Sequence, residues 1–216
     1  MRKIGLFVFF IVFSSTGFAQ KSPFSQEQLN KFSLQAKDYI KDFTKVVKSL
    51  SNPKSSCDKL CRQNKIEGTV KHFKPGAIVQ TVTLKNKTPR SRSVSIYLNS
   101  IVASYSTRFK LVILTFENIV LDTTSIKEVK NEKGQSEYHM KGSFTQRFCV
   151  KNENDSNETN DNDIESFTIC EETIKEFEVI IGKIGSASAA ERYYVLLGDI
   201  TAKSIRSLKT EDDAEY

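Results

Sequence analysis

Apolar side chains recur at every third or fourth position over residues 25–50, which is the spacing of one buried face on an α-helix. Ser25 and Gln28 stand three residues apart at its start, in the capping-box arrangement that satisfies free backbone N–H groups. Asn52 and Pro53 end the pattern, because the residue before a proline disfavours the helical conformation. The pattern therefore predicts a long amphipathic helix, whose apolar stripe is Leu29, Phe32, Ala36, Tyr39, Ile40, Phe43, Val46, Val47 and Leu50.

A shorter helix and a broken strand segment are predicted next. Ser56 can cap a second helix over about 57–64, and Gly68 closes that region. Residues 69–84 have the composition of one or two strands, interrupted at Pro75-Gly76. Helical spacing of apolar residues then predicts a third helix over about 92–105.

After the third helix the pattern changes from the helical to the strand repeat. Apolar and polar residues alternate in four long segments, which is typical of half-buried strands. These segments span about 109–121, 136–150, 167–181 and 191–206. Helices followed by a run of strands predict an α+β fold, in which N-terminal helices pack on a curved, mostly antiparallel sheet ending in a four-strand meander.

The first 19 residues have the composition of a cleavable signal peptide. The basic pair Arg2 and Lys3 precedes a short apolar run, and small residues precede a cleavage point after Ala19. The run is about half the roughly 20 apolar residues that a spanning helix needs. We therefore expect an exported protein, in the periplasm, at the cell surface or secreted, with no transmembrane segment.

The remaining sequence divides into a linker, one domain and a tail. A short linker over 20–24 leads into a single domain over 25–206. Residues 152–163 interrupt the domain with an acidic polar insertion that cannot bury itself and is expected to be mobile, and residues 207–216 form an acidic tail.

Charge is unevenly distributed along the chain, whose formal net charge is +6. Residues 54–92 contain ten basic and two acidic residues, whereas the insertion and the tail are acidic. One interpretation is a basic surface for an anionic partner, either an unknown protein or an anionic surface polymer. The other is a solvated face that is balanced within the chain. Nucleic acid is not an expected partner, because the chain is exported and no aromatic residue lies between Lys85 and Arg92.

Four cysteines in an exported chain indicate disulfide bonds, and four cysteines allow three pairings. A hairpin that sets Cys149 opposite Cys170 gathers apolar residues on one face and opposite charges on the other. This register favours the Cys149–Cys170 bond and leaves Cys57 to pair with Cys61. The opposed charges are Lys141 with Glu178 and Arg147 with Glu172.

Candidate metal and catalytic groups are few. The first cysteine pair with His72 would lack a fourth zinc ligand, and exported thiols tend to oxidise. Residues 161–172 match a calcium loop in part, but Ser166 stands where the turn needs glycine. Neither His72 nor His139 lies in a catalytic motif, and His139 is predicted to be a surface residue. The sequence therefore predicts no catalytic residue, no metal site and no cofactor.

Four polar residues could still line the mouth of a pocket. Gln146, Glu171 and Lys175 lie where the apolar face of the predicted hairpin turns polar, and Asp199 interrupts an apolar strand. The alternative is that they mark the part of the hairpin that overhangs the core.

The order of elements resembles a known superfamily. A long helix ending at Asn52-Pro53, a short helix, a helix containing Tyr97-Leu98 and four long strands resemble the nuclear transport factor 2-like, cystatin-like α+β cone. The strands at 175–181 and 193–200 are similar to those of small exported proteins of this class in Bacteroidota-type bacteria. The resemblance spans about 25–206 and rests on pattern, so it transfers no functional residue.

Members of the superfamily include enzymes, binding modules and dimerisation domains, so the fold alone does not choose among them. We predict an exported, non-catalytic binding or assembly module of unknown ligand. The alternative is a small-molecule-binding protein or enzyme that uses the interior of the cone. Residues 193–200 are apolar on both faces, which suits a central strand or a strand covered by the second subunit of a homodimer.

Overall fold

The computed structural model describes residues 22–52, 57–105, 111–151, 169–184 and 192–208. The predicted signal peptide, the acidic insertion, the calcium-loop residues before position 169 and the tail beyond Leu208 lie outside the described residues. The helices are α1 (Gln26–Ser51), α2 (Lys59–Val70) and α3 (Val94–Tyr105). The strands are β1 (Ile78–Thr81), β2 (Arg90–Ser93), β3 (Leu111–Lys130), β4 (Ser136–Lys151), β5 (Ile169–Ile184) and β6 (Arg192–Ser207).

The predicted α+β architecture is confirmed, with helices on one face of a curved, mixed six-stranded sheet. The strand order is β2-β1-β6-β5-β4-β3, and β3 to β6 form the predicted antiparallel meander. β1 pairs with β6 in parallel, which makes β6 a central strand. This central position is one of the two explanations offered by its apolar sequence.

Helix α1 is the long helix that the apolar stripe predicts. Ser25 accepts a hydrogen bond from the Gln28 backbone, and the Gln28 side chain accepts one from the Ser25 backbone, so the capping box is present. Ala36, Ile40 and Val47 are fully buried on its inner face. Helix α1 therefore forms one wall of the hydrophobic core.

Helix α2 differs from its prediction at both ends. Asp58, not Ser56, is the N-cap, and its carboxylate accepts a 2.7 Å hydrogen bond from the backbone N–H of Cys61. The helix continues through Gly68 to Val70, because Ile66 and Thr69 are buried. This burial outweighs the roughly 1 kcal/mol that a glycine costs within a helix.

The predicted β4–β5 register is confirmed over its whole described length. Cys149 lies opposite Cys170, and Lys141 lies opposite Glu178. On the inner face Gly142 lies opposite Phe177, whose ring occupies the space that a Cβ at Gly142 would fill. The matched faces fixed this register, because a slip of one residue would turn the apolar side chains to the outside.

The core lies between the helices and the inner face of the sheet. Large buried side chains fill it, including aromatic residues from α1, β4 and β5. Fully buried members are Ile40, Phe43, Val47, Leu98, Met140, Phe144, Phe177, Ile181, Leu197 and Ile200. The interior of the described fold is thus packed with apolar side chains near its centre.

Among the described helices, none is both long enough and apolar enough to span a bilayer.

Candidate functional site

The loop between β1 and β2 is held in one conformation by its own hydrogen bonds. The backbones of Thr83 and Asn86 bond to each other in both directions, at 3.2 and 3.1 Å. The Asn86 backbone N–H also lies 3.1 Å from the Thr83 hydroxyl, and the Asn86 side chain accepts from the Thr88 backbone at 3.1 Å. Short polar residues that bond to nearby backbone explain why this segment folds as a turn.

Glu171 of β5 fixes the same loop to the sheet. Its Oε1 atom accepts a 2.9 Å hydrogen bond from the backbone N–H of Leu84, although the two residues are distant in sequence. The residue is 7% exposed. Burial raises the pKa of the Glu171 carboxyl, and the Leu84 N–H acts in the opposite direction because it stabilises the carboxylate.

Lys175 of β5 makes a second attachment, to strand β1 itself. Its Nζ atom donates a 2.5 Å hydrogen bond to the backbone carbonyl of Gln80. Lys175 is 3% exposed, and burial lowers the pKa of its amine to about 8. The Gln80 side chain in turn accepts from the backbone N–H of Ala202 on β6, at 3.3 Å. Strand β1 is therefore tied to both β5 and β6 by side chains.

These attachments support a basic pocket between β1 and β2. The cavity has a volume of about 460 Å³, and cations and hydroxyl groups line it without any carboxylate. Lys85 and Arg90 are exposed and form no ion pair with any residue that the structure describes. Arg92 is half-buried and donates a 2.7 Å hydrogen bond to the Ser100 hydroxyl. The basic pocket consists of Thr81, Val82, Thr83, Lys85, Asn86, Thr88, Arg90 and Arg92.

The chemistry of the basic pocket suits an anion. Two guanidinium groups and one ammonium group provide charged donors, and guanidinium groups match the geometry of carboxylate, sulfate and phosphate oxygens. The neighbouring hydroxyl and amide groups can bond to polar atoms around the charge.

The four residues predicted to line a pocket mouth occupy two different places. Glu171 and Lys175 share the inner face of β5, and Gln146 is half-buried opposite Thr173 on the same hairpin. Asp199 is exposed near the other face, where it accepts a 2.9 Å hydrogen bond from the Ile78 backbone. It lines a shallow depression of about 250 Å³ with Lys141, Glu176, Phe177, Glu178, Thr201 and Lys203.

Both disulfide bonds favoured by the sequence are present. Cys149 joins Cys170 across the β4–β5 pair, and Cys57 joins Cys61 at the start of α2. Cys170 directly precedes Glu171 on β5, so the bond crosslinks the strand that carries the loop attachment, on the opposite face from the Glu171 side chain.

A polar cluster on the outer face of the sheet was not among the predicted sites. His139 was predicted to be a surface residue, but its side chain is 17% exposed, with Nδ1 2.7 Å from Glu178 Oε1. Nε2 lies 3.6 Å from Glu137, which also accepts from Tyr194 and Asn131. The bond from Asn131 is the main cause of a lowered pKa at Glu137.

In the predicted register His139 lies opposite Ile180, so Glu178 is its diagonal neighbour, two residues away along β5. The outer cluster could therefore have been found from the register. Within the described ranges, no group of three or more His, Cys, Asp or Glu side chains is arranged to hold a metal ion.

Comparisons with known proteins leave the family open. No protein-family model matches the sequence, and a search of curated proteins finds no match. A crystal structure of a protein provisionally named scytalone dehydratase, from Novosphingobium aromaticivorans, is similar over 86% of this chain and 93% of its own. The TM-score is 0.38 and the sequence identity 8%, and similarity at this level assigns neither a family nor a function.

Proposed function

We propose that this chain is an exported, non-catalytic binding module that holds an anionic ligand in the basic pocket between β1 and β2. The observation that carries the proposal is a cavity of about 460 Å³ lined by Lys85, Arg90 and Arg92 without a carboxylate. Exposed cations that form no ion pair with the described residues are available to an anion, and they attract it electrostatically over about a Debye length.

The attachments beneath the pocket support this function. Glu171 and Lys175 are buried and bond to the backbone of the loop and of β1. A pocket held in place before binding loses less conformational freedom when the ligand arrives, which improves affinity. Two buried ionisable groups that each bond to the backbone of the β1–β2 hairpin are therefore consistent with a preformed site.

The interior of the cone is less suited to a ligand. Phe43, Phe144 and Phe177 are fully buried between α1 and the sheet, where a small molecule would have to enter. Glu171 and Lys175, which are buried polar residues on this side, bond to protein backbone. The alternative function, a small-molecule-binding protein or enzyme that uses the interior, has less support for this reason.

Export and membership of the nuclear transport factor 2-like superfamily are part of the same proposal. Two disulfide bonds suit an oxidising compartment outside the cytoplasm. The order of three helices, two short strands and four long strands agrees with the cone architecture that the sequence resembles. We propose residues 25–206 as one domain behind a signal peptide.

Binding to a sulfated polymer tests the proposal. Heparin is the probe, and titration calorimetry at several salt concentrations gives the affinity. We expect binding that weakens as salt rises, and at least a tenfold loss in the Lys85→Gln/Arg90→Gln variant. Each charge-assisted hydrogen bond contributes about 1.5–3 kcal/mol, and about 1.4 kcal/mol corresponds to a factor of ten.

A matched variant controls for net charge. Lys31→Gln/Lys48→Gln also removes two cations, but from exposed positions on α1. It should bind heparin within about twofold of the original chain, because screening limits the effect of distant charges. An equal loss in both variants would show attraction by net charge alone, and absence of heparin binding at low salt would refute the proposal.

A further inference from the structure

The chain leaves the sheet beside the basic pocket. β6 ends at Ser207, which lies opposite Glu171 on β5. Leu208 continues this pairing, since its backbone N–H donates a 2.9 Å hydrogen bond to the carbonyl of Cys170. Glu171 also accepts the hydrogen bond from Leu84, whose neighbour in sequence is Lys85. Glu171 is therefore paired with the end of β6 through its backbone and bonded to the loop that carries the cations through its side chain.

The sequence that follows Leu208 is strongly acidic. Glu211, Asp212, Asp213 and Glu215 lie within eight residues, against the single base Lys209. An extended chain spans about 3.3–3.6 Å per residue, so three to five residues cover roughly 10–18 Å. That reach is enough to bring the first three carboxylates from the end of β6 to Lys85, on the far side of Glu171.

We propose that the acidic segment 211–215 is an internal occupant of the basic pocket, and that an external anion must displace it. The charges are complementary, with four carboxylates opposite Lys85, Arg90 and Arg92. Tethering gives such a segment an effective concentration in the millimolar range, so a weak contact suffices. The contact between the segment and the pocket stands independently of the proposed function, and only the competition with an external anion rests on it.

The acidic insertion at 152–163 fits this place less well. It leads into β5, which begins at Ile169, two residues before Glu171, but the sheet order places both β4 and β5 farther than β6 from β1. The segment 211–215, by contrast, follows directly on β6, which pairs with β1.

Zero-length crosslinking of the full chain tests the contact directly. A water-soluble carbodiimide joins a lysine amine to a nearby carboxylate with loss of water, and mass spectrometry of the digest identifies the linked residues. We expect an amide between Lys85 or Lys87 and a carboxylate of the segment 211–215. Links from these lysines to the insertion, or no link at all, would overturn the inference.

Heparin titration tests the competition. Replacing the four acidic residues, as Glu211→Gln/Asp212→Asn/Asp213→Asn/Glu215→Gln, should tighten heparin binding about three- to tenfold, because the affinity is reduced by the fraction of pockets that are occupied. The control Glu153→Gln/Asp155→Asn/Glu158→Gln/Asp161→Asn removes the same charge from the insertion and should change the affinity less than twofold.

The outcomes separate the two proposals. Equal affinities in all three proteins would overturn the proposed competition while leaving the proposed function intact. A gain in the control alone would identify the insertion as the occupant. If none of the proteins binds heparin, the proposed function fails, and the crosslink then decides whether the segment 211–215 contacts the loop.

Discussion

Lys175 on β5 donates a hydrogen bond to the carbonyl of Gln80 on β1, and its side chain reaches across β6, which lies between the two strands. The bond fixes the short strand β1 from beneath. Burial disfavours the charged form of the amine, and its pKa falls from 10.5 to about 8. Burial of the charged amine therefore lowers the stability of the folded state, while its hydrogen bond holds the β1–β2 hairpin.

That cost predicts an unusual dependence of stability on pH. Between about pH 8 and pH 10.5 the folded state binds fewer protons at Lys175 than the unfolded state, so the free energy of unfolding rises with pH by up to about 3 kcal/mol. Lys175→Met should abolish the rise, because no titrating amine remains. Urea unfolding at pH 7.5, 9 and 10.5 measures it.

Lys127→Met is the control for this measurement, since Lys127 is exposed on β3. It should keep the same rise in stability as the original chain. A Lys175→Met protein whose stability rises as steeply as that of the control would contradict burial of the amine.

Glu171 predicts a dependence of the opposite sign. Its folded pKa lies above the ordinary 4.5, so the folded state holds more protons in that interval and the stability falls as pH rises through it. Glu171→Gln keeps an acceptor for the Leu84 N–H without the charge, and it should be at least as stable as the original chain at pH 7. Glu171→Leu leaves that N–H unpaired and should lower the free energy of unfolding by about 1–3 kcal/mol.

Thermal unfolding at pH 4 and pH 7 distinguishes the two Glu171 variants. Equal stabilities would show that the hydrogen bond to Leu84 contributes nothing.

The sequence predicts those parts of the fold in which the pattern is repetitive. In the stripe on α1 and in the matched faces of β4 and β5, many residues indicate the same structure. A single atypical residue therefore does not change the prediction. The start of α2 depends on one cap, and Ser56 and Asp58 are both good caps, so local chemistry could not choose. Strand β2 was missed because Arg-Ser-Arg-Ser lacks apolar alternation, and only its pairing with β1 defines it.

The candidate site was harder to predict than the fold. Both the basic residues and the polar positions Glu171 and Lys175 were identified from the sequence. No pattern in the sequence indicated that the two groups lie close together in the fold. Their connection is a pair of long-range hydrogen bonds to Leu84 and Gln80, which depend on the parallel pairing of β1 with β6. Backbone partners carry no signature in the side-chain pattern, so only the folded structure could reveal that these residues support the pocket.

Two glycines should respond in opposite directions to the same substitution. A Cβ at Gly182 would overlap the ring of Tyr194, which donates a 3.2 Å hydrogen bond to Glu137. Gly182→Ala should therefore displace the ring and lower the free energy of unfolding by about 1–3 kcal/mol. Gly68 lies in α2 with open space around it, so Gly68→Ala should raise stability by about 0.5–1 kcal/mol through helix propensity. Chemical denaturation of both variants measures the difference, and a Gly182→Ala protein as stable as the original would show that Tyr194 is free to move.

The two disulfide bonds should contribute unequally to stability, because they close loops of different length. Cys149 and Cys170 are 21 positions apart, whereas Cys57 and Cys61 are separated by four. The chain-entropy account gives about 3 kcal/mol for the long loop and about 2 kcal/mol at most for the short one. Cys149→Ser/Cys170→Ser should therefore lower the urea midpoint more than Cys57→Ser/Cys61→Ser does, with the difference vanishing when all proteins are reduced. Because Cys170 directly precedes Glu171 on β5, loss of the long-range bond should also weaken heparin binding more than loss of the Cys57–Cys61 bond does. Equal effects on affinity would show that the β4–β5 crosslink does not support the basic pocket.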